Sequence, residues 1–194
     1  MNADDDVSAI ARLIFNADPY IYRGLFGDED KATIVLSSLL KKDDGIFSHR
    51  YTHVVEYDGK IAGTAAIYNI LLKTKDDEMR KESFAKFGRV TEEFDTVVRH
   101  LKKMKNVISR GYRISRFCID EKCRRNGLGS SLIKYLIKKY EGSDLELAVL
   151  EGNKVAINMY KKHDFTVKER DYGYGKDQYN NKVYCLSMVR KASG

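Results

Sequence analysis

Arg124-Arg125-Asn126-Gly127-Leu128-Gly129-Ser130 stands between a run of β-favouring residues and an amphipathic helical pattern. Its reading sets the architecture of the chain. Upstream, Arg113-Ile114-Ser115-Arg116-Phe117-Cys118-Ile119 has the composition of a buried strand. Downstream, Leu128, Leu132, Ile133, Leu136, Ile137 and Tyr140 share one helical face, with Lys134, Lys138 and Glu141 on the other. A strand, a glycine-bearing turn and a helix start leave backbone N–H groups without intrahelical partners, and the helix dipole favours an anion above them. Gly127 and Gly129 allow a sharp turn and a close backbone approach, and two arginines add positive charge at the mouth. The loop alone is also compatible with a tightened turn carrying solvated charges. It is not a Walker loop, since no Gly-Lys-Ser/Thr follows. Nor is it the dinucleotide fingerprint, whose third glycine position is Leu132 here.

At 194 residues, 43% hydrophobic and 32% charged, the chain suits one globular domain with a sizeable core. No apolar run approaches the roughly 20 residues of a membrane span. The acidic start, Met1-Asn2-Ala3-Asp4-Asp5-Asp6, lacks the basic and apolar regions of a signal peptide. Cys118, Cys123 and Cys185 have no metal-ligand spacing and leave one thiol unpaired in any disulfide scheme. No metal site is expected, a reducing cytoplasm is the simplest setting, and Cys118 and Cys185 read as small core residues within strands. The net charge of +7 raises nucleic acid as a partner, but the lysines are spread along the chain, which disfavours it.

Residues 5–15 read as a helix with an acidic first turn, ended by Pro19, and Asp28 to Lys42 as a second helix. Tyr51 to Tyr57 and Lys60 to Asn69 flank Asp58-Gly59, a two-residue hairpin signal. A charged segment at about 73–106 has helical spacing in Phe87, Val90, Phe94, Val97, Val98 and Leu101, and reads as a helical insertion. Leu145 to Leu150 is a strand, Lys154 to Lys162 a short helix, and Phe165 to Tyr172 and Val183 to Val189 are strands. Hairpins at both ends and helical crossovers between the strands at 113–119, 145–150 and 165–172 give a mixed α/β sheet.

Three motifs stand in order: Phe117-Cys118-Ile119-Asp120, then Arg124-Arg125-Asn126-Gly127-Leu128-Gly129, then Asn153-Lys154-Val155-Ala156-Ile157-Asn158-Met159-Tyr160-Lys161-Lys162-His163-Asp164-Phe165. The set resembles the GNAT superfamily of acyl-CoA N-acyltransferases. In that family a strand runs into Arg/Gln-x-x-Gly-x-Gly/Ala, and Asn-x-x-Ala-x-x-x-Tyr-x-x-x-Gly-Phe follows downstream. The likeness is clear over about residues 108–190 and looser before that, through the helix–helix–hairpin order. It implies a single domain spanning 1–194. Its fold would be a twisted, mostly antiparallel sheet with two splayed parallel strands at its centre.

The resemblance also implies roles. Acetyl-CoA would be the co-substrate, with its pantetheine arm along the strand at Phe117, Cys118 and Ile119. Arg124, Arg125, Asn126, Gly127, Leu128, Gly129 and Ser130 would cradle the pyrophosphate. Asn153 would hydrogen-bond the arm or its surroundings, and Tyr160 would be the general acid that reprotonates the CoA thiolate, a role its ordinary pKa of about 10 suits. The acceptor would be a small-molecule or peptide amine attacking directly in a ternary complex, and a homodimer is consistent with the family.

Three departures qualify the match. His163-Asp164 replaces the glycine before Phe165. Arg125 stands where glycine is common, which a negative φ would tolerate. The family's first strand has only Met1 to Asp4 to occupy. The strand before the loop offers Ser115 and Arg116 rather than a carboxylate base, leaving Glu56, Glu146, Glu151, His49, His53, His100 and His163 as substitutes. Tyr20, Tyr22, Tyr57, Tyr112, Tyr172, Tyr174 and Tyr179 are candidates for an acceptor cleft. The missing base also motivates a rival class, an acetyl-CoA-binding sensor without catalysis.

Overall fold

Residues 3–43, 45–72, 85–86, 106–176 and 182–192 are described by a computed structural model of the chain. The first helix, α1, runs Ala3–Ala17, so helix rather than strand occupies the start of the described chain. Pro19 does not end the helical region. It opens a further helix, α2 (Pro19–Phe26), because a first-turn residue needs no N–H donor and proline's fixed φ suits that position. Asp18 caps α2, accepting from the Ile21 amide at 3.2 Å. Asp28 caps α3 (Glu29–Leu40) in the same way through the Lys31 amide at 2.9 Å. The apolar faces of the three helices meet in one cluster, with Ile14, Leu25, Phe26, Leu36 and Leu39 essentially inaccessible and Phe47 at its margin. Each such side chain contributes about 1.5–3 kcal/mol by leaving water.

A six-stranded sheet follows. β1 (Thr52–Tyr57) and β2 (Lys60–Asn69) form the expected hairpin, with Asp58 at φ 50° and Gly59 at φ 69°, the positive pair that a type I′ turn requires. β3 (Tyr112–Ile119), β4 (Leu145–Leu150), β5 (Thr166–Lys176) and β6 (Lys182–Arg190) complete it in the order β1-β2-β3-β4-β6-β5. The β3–β4 pair is parallel and the other pairs are antiparallel. Helix α4 (Leu128–Lys139) is the crossover from β3 to β4, and α5 (Lys154–Lys161) joins β4 to β5. This is the mixed, mostly antiparallel sheet expected from the sequence. The insertion expected at about 73–106 lies outside the described residues over 73–84 and 87–105.

Two irregularities shape the centre of the sheet. β3 and β4 pair only from Tyr112↔Leu145 to Ile114↔Leu147, so the strands splay beyond that point. Along its other edge β3 pairs Ser115 with Ala66 and then Cys118 with Thr64. Arg116 and Phe117 therefore oppose Ala65 alone, a β-bulge, and Arg116 takes φ 51°. α1 packs on β2 and β3, while α4 and α5 close a second core with Ile67, Ile114, Leu147 and Phe165. β2 is accordingly buried at every position from Ala62 to Ile67, as a strand covered on both faces must be.

The paired end of β3 and β4 is tied by Glu146. It is 1% exposed, meets Arg113 at 2.8 Å and accepts from the amides of Val107 at 2.8 Å and Ile108 at 3.2 Å. A buried carboxylate with three donors is a structural anchor. It fixes where the two strands start, and so where they part.

Candidate functional site

The loop between β3 and α4 brings the sequence-predicted residues together. A 3₁₀ turn, Glu121–Cys123, follows β3, and Arg124 closes it. The Arg124 Nε donates to the Ile119 carbonyl at 3.2 Å, so the guanidinium is tethered to the end of β3 and that carbonyl is occupied. Asn126 Nδ2 braces the turn by donating to the Cys123 carbonyl at 3.3 Å. Arg125 has φ 67°, so the condition of a negative φ under which it would be tolerated freely is not met. The loop's path demands the left-handed region there, which is why glycine is common at this position, and a bulky residue pays about 1–2 kcal/mol for it. Gly127, the N-cap of α4, is left-handed as well at φ 76°.

α4 is unlike its neighbours at this end. Asp18, Asp28 and Asn153 cap α2, α3 and α5 with side-chain oxygens, whereas no side chain caps α4. The Ser131 amide reaches the Gly127 carbonyl at 3.0 Å. The amides of the residues just before it, Leu128, Gly129 and Ser130, fall within the first turn, where no intrahelical acceptor exists. An uncapped N-terminus beside Arg124 and Arg125 attracts an anion through both dipole and charge. Gly129 also serves packing: a Cβ there would lie 3.0 Å from Met159 Sδ on α5 and 3.7 Å from Ile119 Cγ1. The first turn of α4 thus rests directly on α5 and on the end of β3.

Tyr160 is 5% exposed on α5. Its ring stands edge-on to Phe117 at 5.8 Å and tilted to Phe165 at 5.8 Å. Burial, with Cys118 as the smaller cause, raises the phenol's pKa well above its ordinary value, so it holds its proton at neutral pH. Cys118 is buried too, and burial pushes its thiol up to about 11. It is a core thiol rather than a nucleophile. Asn153 spends its Oδ1 on the Ala156 amide at 3.1 Å, which leaves Nδ2 as the end able to reach a ligand. The final turn of the motif tolerates its missing glycine through Asp164, which is left-handed at φ 66°.

The described base candidates do not converge. Glu146 is the anchor described above. Glu151 is held by Arg170 through two bonds of 2.9 and 2.8 Å. Glu56 is exposed on β1, two strands from β3 along the sheet. His49 Nδ1 lies 3.3 Å from the Leu40 carbonyl, and His53 packs between Tyr135 and Tyr140. His163 Nε2 lies 3.3 Å from Ser130 Oγ, and its pKa is lowered first by burial and then by Lys134. His100 lies outside the described residues. The described tyrosines do not form one cleft either. Tyr20 and Tyr57 are exposed, and Tyr112 packs on Tyr140 with ring centroids 4.5 Å apart. The side chains of Tyr172, Tyr174 and Tyr179 are outside the described residues. Tyr22 is buried on α2 in a group that sequence reasoning missed, with Phe47, Tyr68 and Arg116. Beside the His163–Ser130 contact opens a pocket of about 380 Å³ with Lys134, Lys138, Lys162 and Arg190 in its walls, together with Glu141 and Asp164.

A family profile described as "Acetyltransferase (GNAT) family" matches residues 20–165, three quarters of the chain. The chain belongs to the GNAT acetyltransferase family. Members of this family use acetyl-CoA as co-substrate. Human N-alpha-acetyltransferase 30 is 35% identical over 95 residues, which cover 47% of this GNAT chain and 25% of the relative. The match therefore spans only a quarter of that protein's length. In fold, an N-acetyltransferase from Staphylococcus aureus Mu50 is similar with a TM-score of 0.68, at 17% identity and 96% coverage of both chains. A ribosomal-protein-alanine N-acetyltransferase from Brucella melitensis aligns with a TM-score of 0.55, at 16% identity over 98% of this chain and 96% of the other.

Proposed function

We propose that the chain transfers an acetyl group from acetyl-CoA to the α-amine of a peptide or amino acid. The observation that carries the reading is the uncapped N-terminus of α4 beneath the Arg124–Gly129 loop, at the place where β3 and β4 splay apart. The chain's residues suit the donor. Open amides at Leu128 to Ser130 and the charges of Arg124 and Arg125 take the pyrophosphate. The unpaired edge of β3 at Phe117 to Ile119 takes the amide-rich pantetheine arm as a further strand would. Asn153 Nδ2 supports that arm.

The amine nitrogen attacks the thioester carbonyl while β3 backbone N–H groups stabilise the developing oxyanion. The C–S bond breaks, the thiolate takes the Tyr160 proton, the amine's surplus proton leaves to water, and water returns a proton to the Tyr160 phenolate. The acceptor follows from proton bookkeeping. Among the described residues none of Glu56, Glu146 or Glu151 is available as a base beside β3, and a site without a strong base favours an amine that is already partly neutral. At pH 7 about a tenth of a peptide's α-amine is unprotonated, against fewer than about one lysine side chain in a thousand. The name of the human relative, which acts on α-amines, agrees with this choice.

The test is thiol release from acetyl-CoA with four acceptors: peptides with a free α-amine, the same peptides N-blocked but carrying lysine, spermidine and glucosamine. Release is expected with the free α-amine peptides, rising with pH through about 8 as the amine deprotonates. Saturable acetyl-CoA binding without release from any acceptor would establish the sensor instead.

A further inference from the structure

Among the described residues Arg116 is a charge without a counter-charge. It sits on the β3 bulge, at φ 51°, just beyond the last β3–β4 pair. Its guanidinium lies over the Phe47 ring, 4.3 Å from the centroid, and 5.9 Å from that of Tyr68. Nη2 donates to the Ile46 carbonyl. Nε is sealed from solvent and has no acceptor. Among the described residues no carboxylate pairs with Arg116, and its charged or ionisable neighbours are the phenols of Tyr22 and Tyr68. Arg113, three residues earlier on the same strand, is by contrast paired with Glu146 at 2.8 Å.

A guanidinium does not deprotonate to escape burial, so an unpaired one at this depth is costly until an anion meets it. Stacking on Phe47 covers one face of the guanidinium plane and leaves the in-plane donors. Among the described residues no acceptor meets Nη1, and with the second Nη2 hydrogen it forms the end-on edge that donates bidentately to a carboxylate. The position fits as well. Phe117 reaches Tyr160 on the α4–α5 side of β3, while Arg116 reaches Phe47 and Tyr68 and lies near Tyr22 of α2. The two residues flank the strand at the level where the thioester is placed.

We propose that Arg116 binds a carboxylate of the acceptor. The substrate is then an amine with a carboxylate close to the reacting nitrogen, either a free amino acid or a peptide whose first residues include Asp or Glu. The proposal rests on the acetyl-transfer reading, and the experiment separates the two.

Thiol release is measured per unprotonated amine on matched pairs: alanine against alaninamide, aspartate α-amide against asparaginamide, and Asp-Ala-Ala-amide against Asn-Ala-Ala-amide. The acid of at least one pair is expected to have a kcat/KM tenfold or more above its amide, and the pair that shows it identifies the source of the carboxylate. Arg116→Gln removes that ratio by raising the acceptor KM, with the acetyl-CoA KM unchanged, and Arg116→Lys restores part of it. A second readout needs no turnover. The ¹H–¹⁵N signal of the sealed Arg116 Nε–H, assigned by its loss in Arg116→Gln, shifts on titration with N-acetylaspartate and not with N-acetylasparaginamide. Equal rates within every pair, with no such shift, overturn the proposal and leave acetyl transfer standing. A shift without turnover on any amine upholds the carboxylate site and overturns acetyl transfer. Neither shift nor turnover overturns both. If Arg116→Gln does not fold, the wild-type pair ratios still decide, with the resonance then assigned through Arg116→Lys.

Discussion

Tyr160 changes meaning between sequence and structure. A tyrosine on a short helix is ordinarily a core aromatic, and this one is indeed buried between Phe117 and Phe165. Burial raises its pKa, so the phenol keeps its proton at neutral pH and is a weaker donor to a thiolate than a solvated tyrosine. Tyr160→Phe is expected to lower kcat about a hundredfold while changing the acetyl-CoA dissociation constant less than threefold, as steady-state kinetics and calorimetry will show. Unchanged turnover would remove Tyr160 from the chemistry. The motif spacing singled out this residue, along with Arg124 to Ser130 and Asn153, as candidates. Arg116 did not stand out in the sequence as a candidate. Its environment comes from Ile46 and Phe47, some 70 positions away in the chain, and from Tyr22 and Tyr68. No local pattern marks such long-range neighbours. Glu146 looked like a base on its type alone, and only its three donors reveal an anchor.

At the scale of elements, periodicity located most helices and strands, and backbone sign decided the rest. Pro19 reads as a terminator because proline breaks helix interiors, yet the first turn accepts it. The left-handed conformations at Arg125 and Asp164 occupy positions where glycine is the family norm, so the substitution hid the geometry rather than changing it. Gly127 carries the corresponding conformation at the mouth of α4, and a Cβ there would meet nothing within 4 Å. Gly127→Ala therefore isolates the backbone cost. It is expected to destabilise the fold by about 1–2 kcal/mol and to weaken acetyl-CoA binding about tenfold as the loop relaxes to negative φ. Unchanged denaturation and affinity would show that the loop has no need of that conformation.

For the whole molecule, titration reports how much of the fold rests on buried neutral groups. Burial lowers the pKa of His53 and of His163. As pH falls through about 6.5 the unfolded chain binds protons at these imidazoles before the folded one does, so stability declines from there downward. Asp28, Asp144 and Glu151 have lowered pKa values through their hydrogen bonds to Lys31, Lys191 and Arg170. Their contribution is present above about pH 4 and is lost below it. Urea unfolding should weaken in two stages, and the double variant His53→Gln, His163→Gln should flatten only the upper one. Stability that rises between pH 7 and 5 would contradict this assignment.

The splay of β3 from β4, the uncapped start of α4 and the twin arginines together make one claim: this end of the sheet holds the phosphates of an acyl donor. Backbone amide resonances followed during titration with CoA test it most directly. Saturable shifts centred on Gly127 to Ser131, larger than those anywhere on α1 to α3, are predicted. CoA binding that leaves these amides unmoved, or no binding at all, would contradict the account.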